Sequence, residues 1–145
     1  MIRLCRMDDV TPLAALLRQL GYPVEEGSLH ERVDRLLARP LVHRVLVVDA
    51  PPGDGRGLLG AIHAARREVL ESDDHVEISG LIVDERARGT GIGKALVAGA
   101  ERWARDIGVR AVRVRSNVVR VQAHAFYERL GYHVLKQQVA FSKEL

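Results

Sequence analysis

The chain has 145 residues, of which 47% are apolar and 28% charged, the composition of a soluble globular domain with a single core. Lys and Arg outnumber Asp and Glu by only 22 to 19 and lie scattered along the chain, which does not make the basic face that a nucleic-acid binder needs. A lone cysteine, Cys5, excludes an intrachain disulfide and a Cys-rich metal site, and the histidines show no metal-ligand spacing.

Ile2–Cys5 is a short extended candidate. Val10, Leu13, Leu16, Leu17 and Leu20 then recur at helical spacing until Gly21 and Pro23 stop the pattern. Ser28 with Glu31 three residues on forms a capping box that opens a second helix, through Leu29, Val33 and Leu36 to Pro40. Val42–Val48 is β-branched and apolar, hence a strand. Pro51, Pro52, Gly53, Gly55 and Gly57 form a turn rather than a linker. Leu58–Ala65 and His75–Val83 predict two more strands. A helix from Gly91 to Ile107 presents Ile92, Leu96, Ala100 and Trp103 on one face, with Gly108 beyond its end. Val109–Arg115 is a strand and Val119–Leu130 a helix carrying Ala123, Phe126, Tyr127 and Leu130 on one side. Tyr132–Leu135 and Val139–Ser142 predict closing strands. The order gives an α/β (mixed α+β) class, a sheet with helices on its faces, in one domain spanning residues 1–145. No apolar run reaches about 18 residues, so no membrane span is expected. Two aspartates inside the first apolar pattern argue against a secretory leader, and the expectation is a cytoplasmic protein.

Leu81–Lys94 carries the chemistry. An apolar strand runs into Gly89, Gly91 and Gly93 and then directly into an amphipathic helix. Glycines let backbone approach a ligand closely, and the unpaired N–H groups of a helix start bind anions. Each charge–dipole contact contributes about 0.3–1 kcal/mol when exposed, so several N–H donors with Arg88 and Lys94 suit a diphosphate. A nucleoside-triphosphate loop would need glycine where Arg88 stands and Ser or Thr where Ala95 stands. A dinucleotide fingerprint would need its last glycine at Lys94.

Arg88-Gly-Thr-Gly91-Ile-Gly93 matches Gln/Arg-x-x-Gly-x-Gly/Ala throughout, and here the chain resembles the GNAT family of N-acetyltransferases. Ser116-Asn117 after the next strand, and the run from Ala123 to Tyr132, resemble the family's second signature. The order of elements agrees across nearly the whole chain. The resemblance implies a GNAT-like single domain, its central sheet mixed, mostly antiparallel and twisted, flanked by helices on both faces. It implies acetyl-CoA as cosubstrate and no metal. The backbone of Leu81, Ile82 and Val83 would pair with the pantetheine arm as an added strand would. The backbone of Gly89, Thr90, Gly91, Ile92 and Gly93, with Arg88 and Lys94, would hold the pyrophosphate. Asn117 would hydrogen-bond the pantetheine, and Tyr127 would protonate the departing thiolate.

Acetyl transfer to an amine also needs the amine neutral. An alkyl ammonium titrates near 10.4, so deprotonation at neutral pH costs about 4–5 kcal/mol. Glu77, on the strand entering the turn, is the candidate general base, with His75 as the weaker alternative. Strict alternation puts Glu77 on one face with His75, Ser79 and Leu81. A strand N–H would polarise the carbonyl. The acceptor, a small-molecule or peptide amine, is expected between the first two helices and the C-terminal strands, where Leu20–Pro23, Glu25 and Glu26 are the candidate lining. A homodimer is compatible with the family. The rival readings are a noncatalytic CoA-binding or sensor module of the same fold and a basic RNA-associated protein.

Overall fold

The computed structural model of the chain describes residues 2–115 and 121–145. It contains two compact units, Met1–Val114 and Arg115–Leu145. The first is built on a five-stranded sheet in the order β1 (Ile2–Leu4), β2 (His43–Asp49), β3 (Leu58–Arg67), β4 (His75–Val83) and β5 (Val112–Val114). Neighbours run antiparallel except β4 and β5, which are parallel. That exception follows from helix α3 (Ile92–Asp106), the crossover between them.

Alternation along the strands divides the core into two layers. Val45, Val47 and Ala61 pack with Val10, Leu13 and Ala14 of α1 (Val10–Gln19) and with Leu29 and Val33 of α2 (Glu26–Leu37). The other face meets α3, whose Leu96, Val97, Ala100 and Trp103 are buried. There Arg44 lies over the Trp103 ring, 5.4 Å from its centroid, and covers the indole. Each large apolar side chain sealed this way contributes about 1.5–3 kcal/mol. The helices therefore flank the sheet on both faces, as the α/β expectation required. Glycines end two of them as read from sequence: Gly21 and Gly108 hold φ of +89° and +82° just past α1 and α3.

Three expectations change. The second helix begins at Glu26, not at a Ser28 capping box. The Glu25 carboxylate accepts from the N–H groups of Gly27 and Ser28 at 2.9 and 2.8 Å and so takes the cap position itself. Second, β4 carries a bulge: His63 pairs with Gly80 but Ala64 with Ile78, leaving Ser79 as the inserted residue. The insertion reverses the side-chain phase, so Leu81 lies on the α3 face with Ile78 while Glu77 and His75 lie on the other. The expected common face for Glu77 and Leu81 is thus corrected. Third, residues 132–145 carry no strand. Val139 and Phe141 are exposed there, and β-prone composition makes a strand only where a neighbouring strand accepts its ladder.

The second unit contains α4 (Val121–Arg129). The Tyr127 ring meets Phe126 and Tyr132 edge-on, with centroids 5.0 and 5.7 Å away.

Candidate functional site

The turn after β4 is shaped by two left-handed glycines. Gly89 has φ +77° and Gly91 φ +87°, conformations that L side chains resist. A Cβ built at either would meet no atom within 4 Å, so the space in front of this backbone is open. Gly91 is the N-cap of α3 and gives no side-chain cap, and the first turn holds no acidic residue. The helical ladder starts with the Ala95 N–H donating to the Gly91 carbonyl at 3.0 Å. The N–H groups of Ile92, Gly93 and Lys94 therefore end the helix unpaired by its ladder, at its positive pole. Gly93 itself is helical and needs no special dihedral. Thr90 donates its hydroxyl to the Ala87 carbonyl, which ties the turn back on itself. Arg88 and Lys94 are exposed beside it. The arrangement is an anion cradle with two cations at its rim.

Sequence reasoning missed what holds this turn. Asp84, 3% exposed at the end of β4, accepts from the Arg86 N–H at 2.9 Å and so caps the short 3-10 turn Glu85–Ala87. Gln19 at the end of α1 donates to the same carboxylate at 3.1 Å and accepts from the Glu85 N–H at 3.2 Å. Arg56 lies 3.4 Å away on the other oxygen. Burial alone pushes the Asp84 carboxyl up; the Arg86 N–H, Gln19 and nearby arginines outweigh it and hold it below the usual carboxylate range. An aspartate between a strand and a three-residue turn was the available signal. Its partners, tens of residues away, gave none.

Beside the turn, no strand among the described residues pairs with the outer edge of β4 beyond Ile78. β5 pairs only with Val76, Glu77 and Ile78. The Asp84 N–H donates to the Leu59 carbonyl at 2.8 Å, and by antiparallel alternation Ile82 also faces β3. The backbone N–H and C=O groups of Leu81 and Val83 therefore point to the free edge, a template for an extended ligand. Of the three edge residues expected to pair with one, Ile82 spends its groups on β3.

Glu77 lies within β4 near the bulge, its Oε2 3.9 Å from Arg67 Nε and its side chain 13% exposed. His75 is buried at the far end of the strand, with Nδ1 3.3 Å from the Asp73 carbonyl, and so lies away from the open edge. Cys5 is buried and burial pushes its thiol up to about 11, which leaves it without nucleophilic character. Tyr127 is half-buried on α4 in the second unit. Asn117 lies outside the described residues. A wide depression of about 640 Å³ opens between the first turns of α1 and α2, lined by Asp8, Thr11, Glu25, Glu26 and His30 among others. Glu25 and Glu26 line it, but neither Leu20–Pro23 nor any residue of the turn does. Among the described residues no group of three or more His, Cys, Asp or Glu is placed to hold a metal ion, and no helix is long and apolar enough to cross a membrane.

Residues 13–132 match the model of the acetyltransferase (GNAT) family, and the chain belongs to that family. It is 35% identical over 68 residues to an aminoglycoside N(6')-acetyltransferase type 1 of Stenotrophomonas maltophilia, covering 47% of this chain and 44% of that one. It is 43% identical over 56 residues to an aminoalkylphosphonate N-acetyltransferase of Salmonella typhimurium, covering 39% and 36%. The chain thus spans less than half the length of these two curated relatives. The fold matches the solved structure of AAC(6')-Iy in complex with the bisubstrate analogue CoA-S-monomethyl-acetylneamine, at a TM-score of 0.85 and 19% identity over 100% of this chain and 98% of that one.

Proposed function

We propose that the protein transfers an acetyl group from acetyl-CoA directly to the primary amine of a small cationic acceptor, with residues 1–145 acting as one cytoplasmic catalytic domain. The observation that carries this reading is the Gly89–Gly91 cradle at the start of α3, directly continuous with the stretch of β4 that no described strand pairs beyond Ile78. A diphosphate on the N–H groups of Gly91–Lys94, with Arg88 and Lys94 balancing its charge, would bring the pantetheine arm along Leu81 and Val83 as an added strand. Thr90 fixes the turn, and Ile92 and Gly93 open the helix. Asn117 would bond the pantetheine amides.

Binding in this order places the thioester near the β4 bulge. A bulge leaves an N–H without a ladder partner, and such a donor polarises a thioester carbonyl as the amine attacks. The tetrahedral intermediate collapses with loss of the CoA thiolate, to which Tyr127 gives its hydroxyl proton. The amine's own proton leaves across the face that carries Glu77. The names of the relatives, an aminoglycoside and an aminoalkylphosphonate acetyltransferase, support a small amine as acceptor. Carboxylates of Asp8, Glu25 and Glu26 around the depression suit a cation.

Replacing Tyr127 with Phe removes one hydroxyl and keeps the ring contacts. The expected outcome is a fall in kcat of about 10²–10⁴ with CoA affinity unchanged. Wild-type kcat in Tyr127→Phe would remove Tyr127 from the acid role.

A further inference from the structure

His63 stands on β3 directly opposite Gly80, at the row where the bulge begins and the outer edge of β4 comes free. Gly80 is exposed, and a Cβ built on it would meet no atom within 4 Å. The imidazole therefore borders unfilled space on the face opposite α3. His43 on β2 reaches it from behind: His43 Nδ1 and His63 Nε2 are 3.0 Å apart, the ring centroids 5.1 Å apart. Glu77 lies one row further on, across Ala65, with its Oε2 3.9 Å from Arg67 Nε.

We propose that His63 takes the proton from the acceptor's ammonium group at the bulge and that His43 relays it to solvent. The inference rests on the acetyl-transfer reading and names the proton carrier for it. One N–H and one lone pair must meet between the two rings. With His63 Nε2 donating to His43 Nδ1, the other nitrogen of His63 has its lone pair available for the ammonium proton. As it takes that proton, the Nε2 proton passes to His43 Nδ1, and His43 releases its Nε2 proton to water. One proton enters, one leaves, and both rings end neutral; exchange with water restores the starting tautomers. Glu77 then serves as a fixed charge near the approaching cation.

The charges around the pair fit this work. Same-face neighbours are Arg67 on β3, Glu77 and His75 on β4 and Arg113 on β5, with Arg39 following α2. Burial first, and then the charge of His43, holds His63 below the usual imidazole range; burial and Arg39 do the same for His43. Both rings are therefore neutral, in the proton-accepting form, at neutral pH.

The test is thiol release from acetyl-CoA with neamine and with 2-aminoethylphosphonate as acceptors, followed from about pH 5 to 9. The wild type is expected to lose kcat/KM on the acid side as the imidazole protonates. His63→Gln should lower kcat by about 10²–10⁴ and abolish that acid limb, with CoA affinity unchanged. His43→Gln removes the relay and one neighbouring charge, so kcat should fall, though less than in His63→Gln, and the limb should move to higher pH. Glu77→Gln should raise KM for the amine and leave the limb in place. A wild-type limb retained in His63→Gln, or abolished in Glu77→Gln instead, would overturn the assignment while leaving acetyl transfer intact. A wild type that binds CoA and acetylates neither amine would overturn the acetyl-transfer reading and this inference with it. Nitrogen-detected imidazole NMR of the wild type gives a check that needs no variant. A coupled titration of His43 and His63 through one shared N–H is expected, and independent titration would overturn the relay.

Discussion

A Cβ on Gly60 would stand 3.0 Å from the Ile82 carbonyl oxygen, 3.1 Å from Ile92 Cγ2 and 3.2 Å from Leu96 Cδ1. The backbone oxygen cannot retreat, and Leu96 is wholly buried. Gly60→Ala should therefore destabilise by about 1–3 kcal/mol and push the start of α3 outward. Thermal denaturation would show the lower Tm, and calorimetry a weaker CoA affinity. At Gly91 the space is open and the dihedral decides. Gly91→Ala should add about 1–2 kcal/mol of backbone strain, whereas Gly91→Glu also sets a carboxylate in the anion cradle and should abolish measurable CoA binding. Equal binding by the two variants would show that charge plays no part there. The glycines of the turn were legible because three stand at alternate positions where a strand pattern gives way to a helical one. Gly60 was not, since a glycine inside a strand announces a close approach without naming what approaches.

Among the elements, α3 was read within one residue at either end, because left-handed Gly91 and Gly108 bracket it. The start of α2 was misplaced because Glu25 caps with a longer side chain than the Ser/Thr pattern anticipates. The β4 bulge was invisible for a different reason: alternation records side chains, whereas a bulge is a fact about the hydrogen bonds of two strands. The same limit hid the His43–His63 pair, whose members stand 20 residues apart and meet only through the β2–β3 register. The strands expected in residues 132–145 failed because composition supplies no partner strand. The turn before α3 depends on Asp84, which ties it to α1 through Gln19. Asp84→Ala should cost about 1–2 kcal/mol as a lost cap, and the loosened cradle should weaken CoA binding. Asp84→Asn keeps an accepting oxygen and should fall between. CoA affinity unchanged in Asp84→Ala would separate the cap from the site.

For the whole molecule, stability should fall on acidification in two stages. His43 and His63 are held below 6.5, so the fold favours their neutral forms. Their contribution is complete above pH 6.5 and declines as pH drops below it. Asp9, bonded to Arg3, is held below its usual 3.8, as is Asp84; their contribution is complete above that value and is lost as pH falls through the lower folded one. Urea midpoints from neutral pH downward should show the first decline in wild type and not in a His43→Gln, His63→Gln double variant. The family and the sheet with helices on both faces were legible in the turn sequence and the order of elements; the acceptor was not, because its surroundings carry no motif.

The central claim is transfer of acetyl from acetyl-CoA to an amine. Mass spectrometry of neamine, spermidine and 2-aminoethylphosphonate incubated with protein and acetyl-CoA tests it most directly. The prediction is one acetyl group on at least one amine, matched by an equal amount of free CoA thiol. Intact acetyl-CoA and unmodified amines, with CoA bound to the protein, would contradict it.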